Sequence, residues 1–471
     1  MPFTELDQAR EKSLHLSSGS LEIITPTYSF PKSSIKVLML EKVHQTAVDI
    51  FAKEAFDCIQ VPTALSEADL IEQIKDVHIL CIRSKTVVSA AVIEAANRLL
   101  CVGCFCIGTD QVRTTPNSPT HPRKITARAL TLTRYPPSRF IFPLSPQVDL
   151  FAAAARGIPV FNAPFANTRS VAELAIGELI CLARRLGDRS RDMHAGVWKK
   201  SAEGSVEVRG KTLGIVGYGH IGTQLSIMAE ALGMSVVFYD IVPKLPLGNA
   251  VALESIGELF AAADFVSLHV PNTPATKNMI TAKEIEQMKP GAFLLNLARG
   301  KVVDLDALAA ALRSGRLGGA AVDVFPEEPK SNGPGFETPL QGLDNVILTP
   351  HVAGSTAEAQ AMIGIEVAAV LSGFVNSGST VGSVNFPTVS LPLTRGTHRI
   401  LNAHANVPGV LRDINTIFAQ TGANVRAQVL GTTDGEGSVG YLIVDVEKDT
   451  AAETKKALYD CPHSIKTRIL F

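Results

Sequence analysis

The chain predicts an α/β protein: two doubly wound parallel-sheet domains followed by a small βαββαβ module. Three observations carry that prediction. Apolar strands alternate with helical segments through two successive series, as parallel sheets with crossover connections require. Gly217-x-Gly219-x-x-Gly222 follows the strand-like "LGIVG" and opens the helical "TQLSIMAEALG", a strand–turn–helix junction with glycines at fixed offsets. The residues from about 398 to the end read strand, helix, strand, strand, helix, strand.

A chain of 471 residues has length for about three domains of ordinary size. It is 46% hydrophobic and 19% charged, with net charge −1, which gives no global attraction for nucleic acid or an anionic membrane. No apolar run reaches the ~18–20 residues that span a bilayer. Residues 1–34 mix acids with bases and lack a signal-peptide core, and they read as a flexible tail on a cytoplasmic protein. Cys101-x-x-Cys104-x-Cys106 lies in the apolar "LLCVGCFCIG", whose alternate side chains face opposite ways. With no second Cys/His pair at zinc spacing, these read as buried free thiols and no metal is expected.

The first domain spans 35–169. Strands are expected at 35–43, 78–86, 99–108 and 158–164, with helices at 44–55 and through "SAAVIEAANR". Residues 112–147 interrupt it with seven prolines, six Lys/Arg and no Asp or Glu. Proline blocks regular structure, and so long a structureless loop is foreign to a compact domain. The stretch is 36 codons long and so in frame, opens with Val-Arg, which GTACGT, a 5′ splice-site sequence, can encode, and ends with Gln147, which CAG, a 3′ splice-site sequence, can encode, so it reads as a retained or mispredicted intron. Its removal makes Asp149 the N-cap of "LFAAAARG".

One long helix is expected over 170–196. The second domain, 170–351, has strands at 213–217, 235–240, 265–270, 292–298, 319–325 and 345–350. A helix from about 352 to 373 returns to the first domain, whose completion is read as about 352–385. Residues 386–397 form a Pro/Gly/Ser/Thr linker, and 398–471 the C-terminal module.

In the second domain the glycines permit a tight turn and close approach of a pyrophosphate to a helix N-terminus. That is the fingerprint of a Rossmann-type dinucleotide site, with Gly217, Gly219, His220, Ile221 and Gly222 against the cofactor. Asp240 ends the next strand, where a carboxylate accepts hydrogen bonds from ribose hydroxyls and repels a 2′-phosphate, so NAD is favoured over NADP. Arg299, Glu328 and His351 stand at or just past strand ends, where ligands of such sheets bind. A guanidinium suits a substrate carboxylate, an imidazole suits a hydroxyl proton, and a carboxylate on the far ring nitrogen fixes the tautomer. Chemistry alone leaves Glu327 as good a partner as Glu328.

"GYGHIGTQLSIMAEALGM", "NLARG", "DVFPEEP" and "TPHVAGST" together resemble the D-isomer-specific 2-hydroxyacid dehydrogenases. "GCFCIGTDQ", "GIPVFNAPFANTRSVAELAIGEL", "YDIVPKLPLGNA" and "VNFPTVSLPL" extend the likeness to the serine-biosynthetic branch with a C-terminal ACT domain. The resemblance implies two Rossmann/flavodoxin-like domains plus an ACT domain. It implies NAD-dependent oxidation of 3-phosphoglycerate to 3-phosphohydroxypyruvate by Arg299, Glu328 and His351, with Asp323 on the nicotinamide side. Arg83, Ser84, Asn167 and Lys200 match its substrate and phosphate positions, although Lys199 adjoins Lys200. His404, Asn406 and Asn424 match the positions that bind L-serine between paired ACT domains of a homo-oligomer, a tetramer by the same resemblance. Val407 stands where a basic residue is common, and Gly396-Thr397 replaces a glycine pair at the hinge, which should stiffen it. The rivals are another D-2-hydroxyacid dehydrogenase, such as a hydroxypyruvate/glyoxylate or 2-oxoglutarate reductase, and an NAD-sensing corepressor. The cationic positions and the ACT module disfavour the first, and the ACT module disfavours the second.

Overall fold

The computed structural model describes residues 31–106, 147–329, 332–435 and 437–470. Apart from Gln147, the proline-rich stretch 112–147 lies outside them, as does all but the end of the 1–34 tail. Lys32–Ser34 form a short turn tied to the domain by the Lys32–Glu54 ion pair.

The first sheet has five parallel strands, β1 (Lys36–Leu40), β2 (Asp57–Val61), β3 (Ile79–Ile82), β4 (Cys101–Cys104) and β5 (Val160–Asn162), in the order β2-β1-β3-β4-β5. β3, β4 and β5 are buried at every position, as strands covered on both faces must be. β2 escaped the sequence reading. It is an edge strand, "DCIQV", with no buried residue and hence no apolar run. Asp149 caps the helix Leu150–Ala155 by accepting from the Ala152 N–H at 2.9 Å.

Gln147 belongs to the fold. It is buried, its carbonyl accepts from the Val88 N–H, and its Oε1 accepts from Cys106 Sγ at 3.3 Å. Because Gln111 and Gln147 both precede a valine, removing 111–146 or 112–147 leaves the same sequence. Gln147 sits in the turn just before the Val88–Val148 bridge.

The second sheet has seven parallel strands: β6 (Thr212–Val216), β7 (Ser235–Tyr239), β8 (Val251–Ala252), β9 (Phe265–Leu268), β10 (Ala292–Asn296), β11 (Leu317–Val322) and β12 (Val346–Leu348). The order β12-β11-β10-β9-β6-β7-β8 reverses direction at β6, and that switch point is where a doubly wound sheet opens a crevice. β8, two exposed residues long, left no sequence signal.

The helix expected over 170–196 is two helices, Thr168–Ala183 and Leu186–His194, broken where Arg185 takes φ 51°. Neither Gly nor Pro marks the break. Tertiary contacts re-aim the second piece: Asp188 pairs with Arg185 and Arg191 and accepts the Asn345 N–H. Helix Ala357–Ser377 is by length and composition apolar enough to cross a membrane, although Glu358 and Glu366 interrupt its apolar residues. Its apolar character has a local cause: Ile363, Val367, Leu371 and Phe374 are buried in the core it shares with β1, β3 and β4.

The C-terminal sheet is antiparallel: β13 (Thr397–Ala405), β14 (Val425–Thr432), β15 (Val439–Glu447) and β16 (Ser464–Leu470), in the order β14-β15-β13-β16. With helices Val410–Gln420 and Ala451–Asp460 it is the βαββαβ sandwich read from the sequence. One face, including Ile400, Leu442 and Val444, packs on these helices. The other, including Leu401, Tyr441 and Ile443, joins the core of the first domain. The stretch 386–397 is therefore no free tether. Phe386 and Val389 are buried in that shared core, and Arg399, paired with buried Asp445, also binds the carbonyls of Ser377, Leu391 and Pro392.

Candidate active site

Three glycines shape the mouth of the second sheet, each for its own reason. Gly217 has φ +93°, and a Cβ there would stand 2.5 Å from the His269 carbonyl oxygen. A Cβ on Gly222 would meet the Gly217 carbonyl oxygen at 2.4 Å, so the helix His220–Ala231 can start this close only on glycine. Gly219 has open space where its Cβ would be, leaving room for a pyrophosphate over the helix N-terminus. His220 follows, its ring 4.0 Å from Phe165 of the first domain, and Ile221 lies half-buried behind it. Asp240 Oδ2 accepts from the Tyr218 N–H of the glycine loop and Oδ1 from the Val242 N–H, both at 2.9 Å. A carboxylate retains further lone pairs for ribose hydroxyls. The residues present therefore suit a dinucleotide.

Beyond β10, β11 and β12 lie the three candidate catalytic residues. His351 Nδ1 and Glu328 Oε2 are 2.7 Å apart, and Glu328 Oε1 accepts from the Phe325 N–H at 3.1 Å. Glu328, and not Glu327, meets the ring. The hydrogen bond to Glu328 raises the His351 pKa above its ordinary value, against the effect of burial. Burial pushes the Glu328 carboxyl up, and the bonds from His351 and Phe325 outweigh it, so its pKa falls below the usual carboxylate range. Arg299 adds to both fields: its charge favours the Glu328 carboxylate and opposes the imidazolium. Gly300 lets Arg299 come this near. A Cβ there would fall 1.9 Å from the Phe325 carbonyl carbon.

Buried Asp323 shapes the loop that carries His351. Its carboxylate accepts from the Thr349 hydroxyl at 2.6 Å and from the Val352 and Ala353 N–H groups at 2.8 and 3.0 Å. Its carbonyl accepts the His351 N–H at 2.8 Å. These bonds hold His351 at φ 55°, a conformation rare for a residue with a side chain. Behind Thr349 lies buried Glu178, whose carboxyl is pushed up to about 7 by burial and by the Asp323 charge. The sequence reading passed over Glu178 as one position in an apolar helix.

The segment after His351 ties both sheets to one crevice. Asn167 is buried against Gly354, whose Cβ would stand 2.4 Å from its Nδ2. Ser170 and Thr356 hydroxyls are 2.8 Å apart, and Arg83 Nη2 donates to Gln360 Oε1 at 2.7 Å. Arg83 and exposed Ser84 follow β3 at its carboxyl end. Lys200 does not join them. It is exposed beyond the helix Leu186–His194, beside Trp198, Lys199 and Arg189. Among the described residues no cluster of three or more His, Cys, Asp or Glu could hold a metal ion.

In the C-terminal module His404 is buried, its Nδ1 3.0 Å from Asn402 Oδ1, and burial lowers its pKa to about 4. Asn406 follows the end of β13 and is exposed, as is Asn424, which donates to Glu447 Oε1 at 2.9 Å. The register pairs Ala405 with Val439 but Thr397 with Glu447. Asn406 and Asn424 therefore sit at opposite ends of the sheet, about 25 Å apart at ~3.3 Å per residue.

Residues 176–353 match the model of the D-isomer specific 2-hydroxyacid dehydrogenase NAD-binding domain, and residues 37–114 that of its catalytic domain. Residues 400–461 match an AHAS small subunit-like ACT domain. The chain is 49% identical to a D-3-phosphoglycerate dehydrogenase of Dictyostelium discoideum, with 95% of this chain and 100% of the relative aligned. It is 48% identical to that of Escherichia coli strain K12, over 94% of this chain and 99% of the relative. Among solved structures, the D-lactate dehydrogenase of Aquifex aeolicus with NAD and lactic acid aligns at a TM-score of 0.55 and 26% identity, covering 72% of this chain and 95% of that one.

Proposed function

The chain belongs to the D-isomer specific 2-hydroxyacid dehydrogenases, and we propose that within that family it oxidises 3-phosphoglycerate to 3-phosphohydroxypyruvate with NAD, the first step of L-serine biosynthesis. The observation that carries this reading is the His351–Glu328 pair, 2.7 Å apart beside Arg299 at the mouth of a glycine-lined crevice. Gly217, Gly219, His220, Ile221, Gly222 and Asp240 would hold NAD, with Asp323 toward the nicotinamide side, and the cofactor would supply the hydride acceptor. Arg299 binds the substrate carboxylate as a planar fork. His351 takes the C2 hydroxyl proton at Nε2, since Glu328 occupies Nδ1 and stabilises the imidazolium as it forms. Arg83, Ser84 and Asn167 bind the phosphate end, and Lys200 serves it only if a second copy brings it near. We assign the reaction to the cytoplasm. The free thiols of all seven cysteines suit a reducing compartment.

The proton transfer sets a pH dependence. Oxidation needs neutral imidazole, and Glu328 raises the His351 pKa, so activity climbs with pH through a value above the ordinary 6.5. Glu328→Gln removes that raising partner. Its rising limb in a kcat/KM profile should move to lower pH while the plateau falls for want of a fixed tautomer. A rising limb that stays in place would remove Glu328 from this role.

The C-terminal module is proposed as a sensor of L-serine, bound between two copies. One amino acid cannot span the ~25 Å from His404 and Asn406 to Asn424 in a single chain, whereas a partner's module can bring the far end near. A homo-oligomer, tetrameric by family, follows. Activity should fall as millimolar L-serine is titrated in, and an unchanged rate would refute regulation at this site.

A further inference from the structure

We propose that Glu41 is the positioning residue that gives this enzyme its preference for a phosphorylated substrate. The inference rests on the function proposed above and concerns the Arg83–Thr86 loop.

Glu41 follows β1 at the carboxyl end of the five-stranded sheet, is buried, and takes φ 64°. Its carboxylate reaches across to the loop after β3. Oε2 accepts from the Lys85 N–H at 2.9 Å, and Oε1 accepts from the Thr86 N–H at 2.8 Å, the Thr86 hydroxyl at 2.6 Å and, more distantly, the Arg83 N–H at 3.4 Å. Four donors on one carboxylate is the pattern of an anion nest. Here the chain's own acid fills it.

That arrangement divides the loop's labour. Glu41 takes the Lys85 and Thr86 N–H groups and, more distantly, that of Arg83, so recognition of a substrate phosphate falls mainly to side chains. Arg83 is steered by Gln360 at 2.7 Å, and Ser84 and Lys85 are exposed. The carboxylate oxygens are satisfied by the same four donors, so the buried acid leaves no hydrogen bond unmade. An amide at position 41 offers one acceptor oxygen in place of two, and presents an N–H₂ toward donors. The loop would then lose its fixed form, and with it the placement of the phosphate-binding side chains.

The test compares NADH-dependent reduction of 3-phosphohydroxypyruvate and of hydroxypyruvate by wild type and Glu41→Gln. The ratio of kcat/KM for the phosphorylated over the unphosphorylated substrate should fall about tenfold, carried by KM for the phosphorylated one. Thr86→Val, which removes one of the four donors, should move the ratio the same way by a smaller factor and covers the case in which Glu41→Gln does not fold. Equal losses on both substrates, or an unchanged ratio in the folded variants, would make Glu41 a purely structural residue and overturn the proposal. A wild-type protein that does not prefer the phosphorylated substrate would instead overturn the proposed function, before any variant is compared.

Discussion

His351→Ala should cut 3-phosphoglycerate oxidation by roughly a hundred- to ten-thousand-fold, the range for removing a positioned general base, while NAD still binds. The two effects separate because the imidazole and the glycine loop belong to different parts of the crevice. The loop is shaped by Gly217, Gly219, Gly222 and Asp240, none of which contacts the His351 ring. The ring's own partner is Glu328, and Asp323 binds the backbone around it rather than the imidazole. Truncation at Cβ therefore leaves the loop's hydrogen bonds intact. Steady-state rates and a cofactor titration on the same preparation check both halves. Near-normal turnover would remove His351 from the chemistry.

Gly300→Ala should abolish most activity although position 300 carries no chemistry. The added methyl would overlap the Phe325 carbonyl carbon and oxygen at 1.9 and 2.1 Å and the Pro326 nitrogen at 2.5 Å. These are backbone atoms, so no side chain can swing aside. Either the Arg299 turn or the Phe325–Glu328 loop must shift, and the Phe325 N–H is one of the two anchors of Glu328. Overpacking of this kind costs roughly 1–3 kcal/mol of stability, and displacement of Arg299 or Glu328 by ~1 Å costs on the order of a hundredfold in rate. Thermal unfolding and kcat/KM together measure the two costs. A variant with both unchanged would mean that the close approach at Gly300 does not hold the site.

The inner strands of both parallel sheets were legible because burial on two faces writes a continuous apolar run, as in Ile79–Ile82 and Ala292–Asn296. The glycine loop was legible because its constraints are steric and local. What stayed hidden depends on partners far along the chain. β2 is an exposed edge strand and β8 two residues long, so neither carries a periodicity. The break at Arg185 follows from Asp188 binding Asn345, 157 residues away, and no local residue announces it. Glu41 reads as the tail of an apolar strand, since its four donors lie more than forty positions downstream. Chemistry alone left Glu327 and Glu328 equal, and the family resemblance chose Glu328. Their separation is a matter of which one the turn after Phe325 aims at the imidazole.

The serine positions show the same limit in another form. Three residues of the right chemistry could be named, yet the sheet register keeps Asn424 far from His404 and Asn406. Their meaning lies in assembly, beyond what one chain's sequence pattern encodes.

The central claim is that this chain is an NAD-dependent oxidoreductase acting on 3-phosphoglycerate, and the most direct measurement is NADH formation with that substrate by the purified protein lacking residues 112–147. The account predicts steady, enzyme-dependent NAD reduction that requires the phosphorylated substrate. A folded protein that binds NAD and forms no NADH with 3-phosphoglycerate would contradict it.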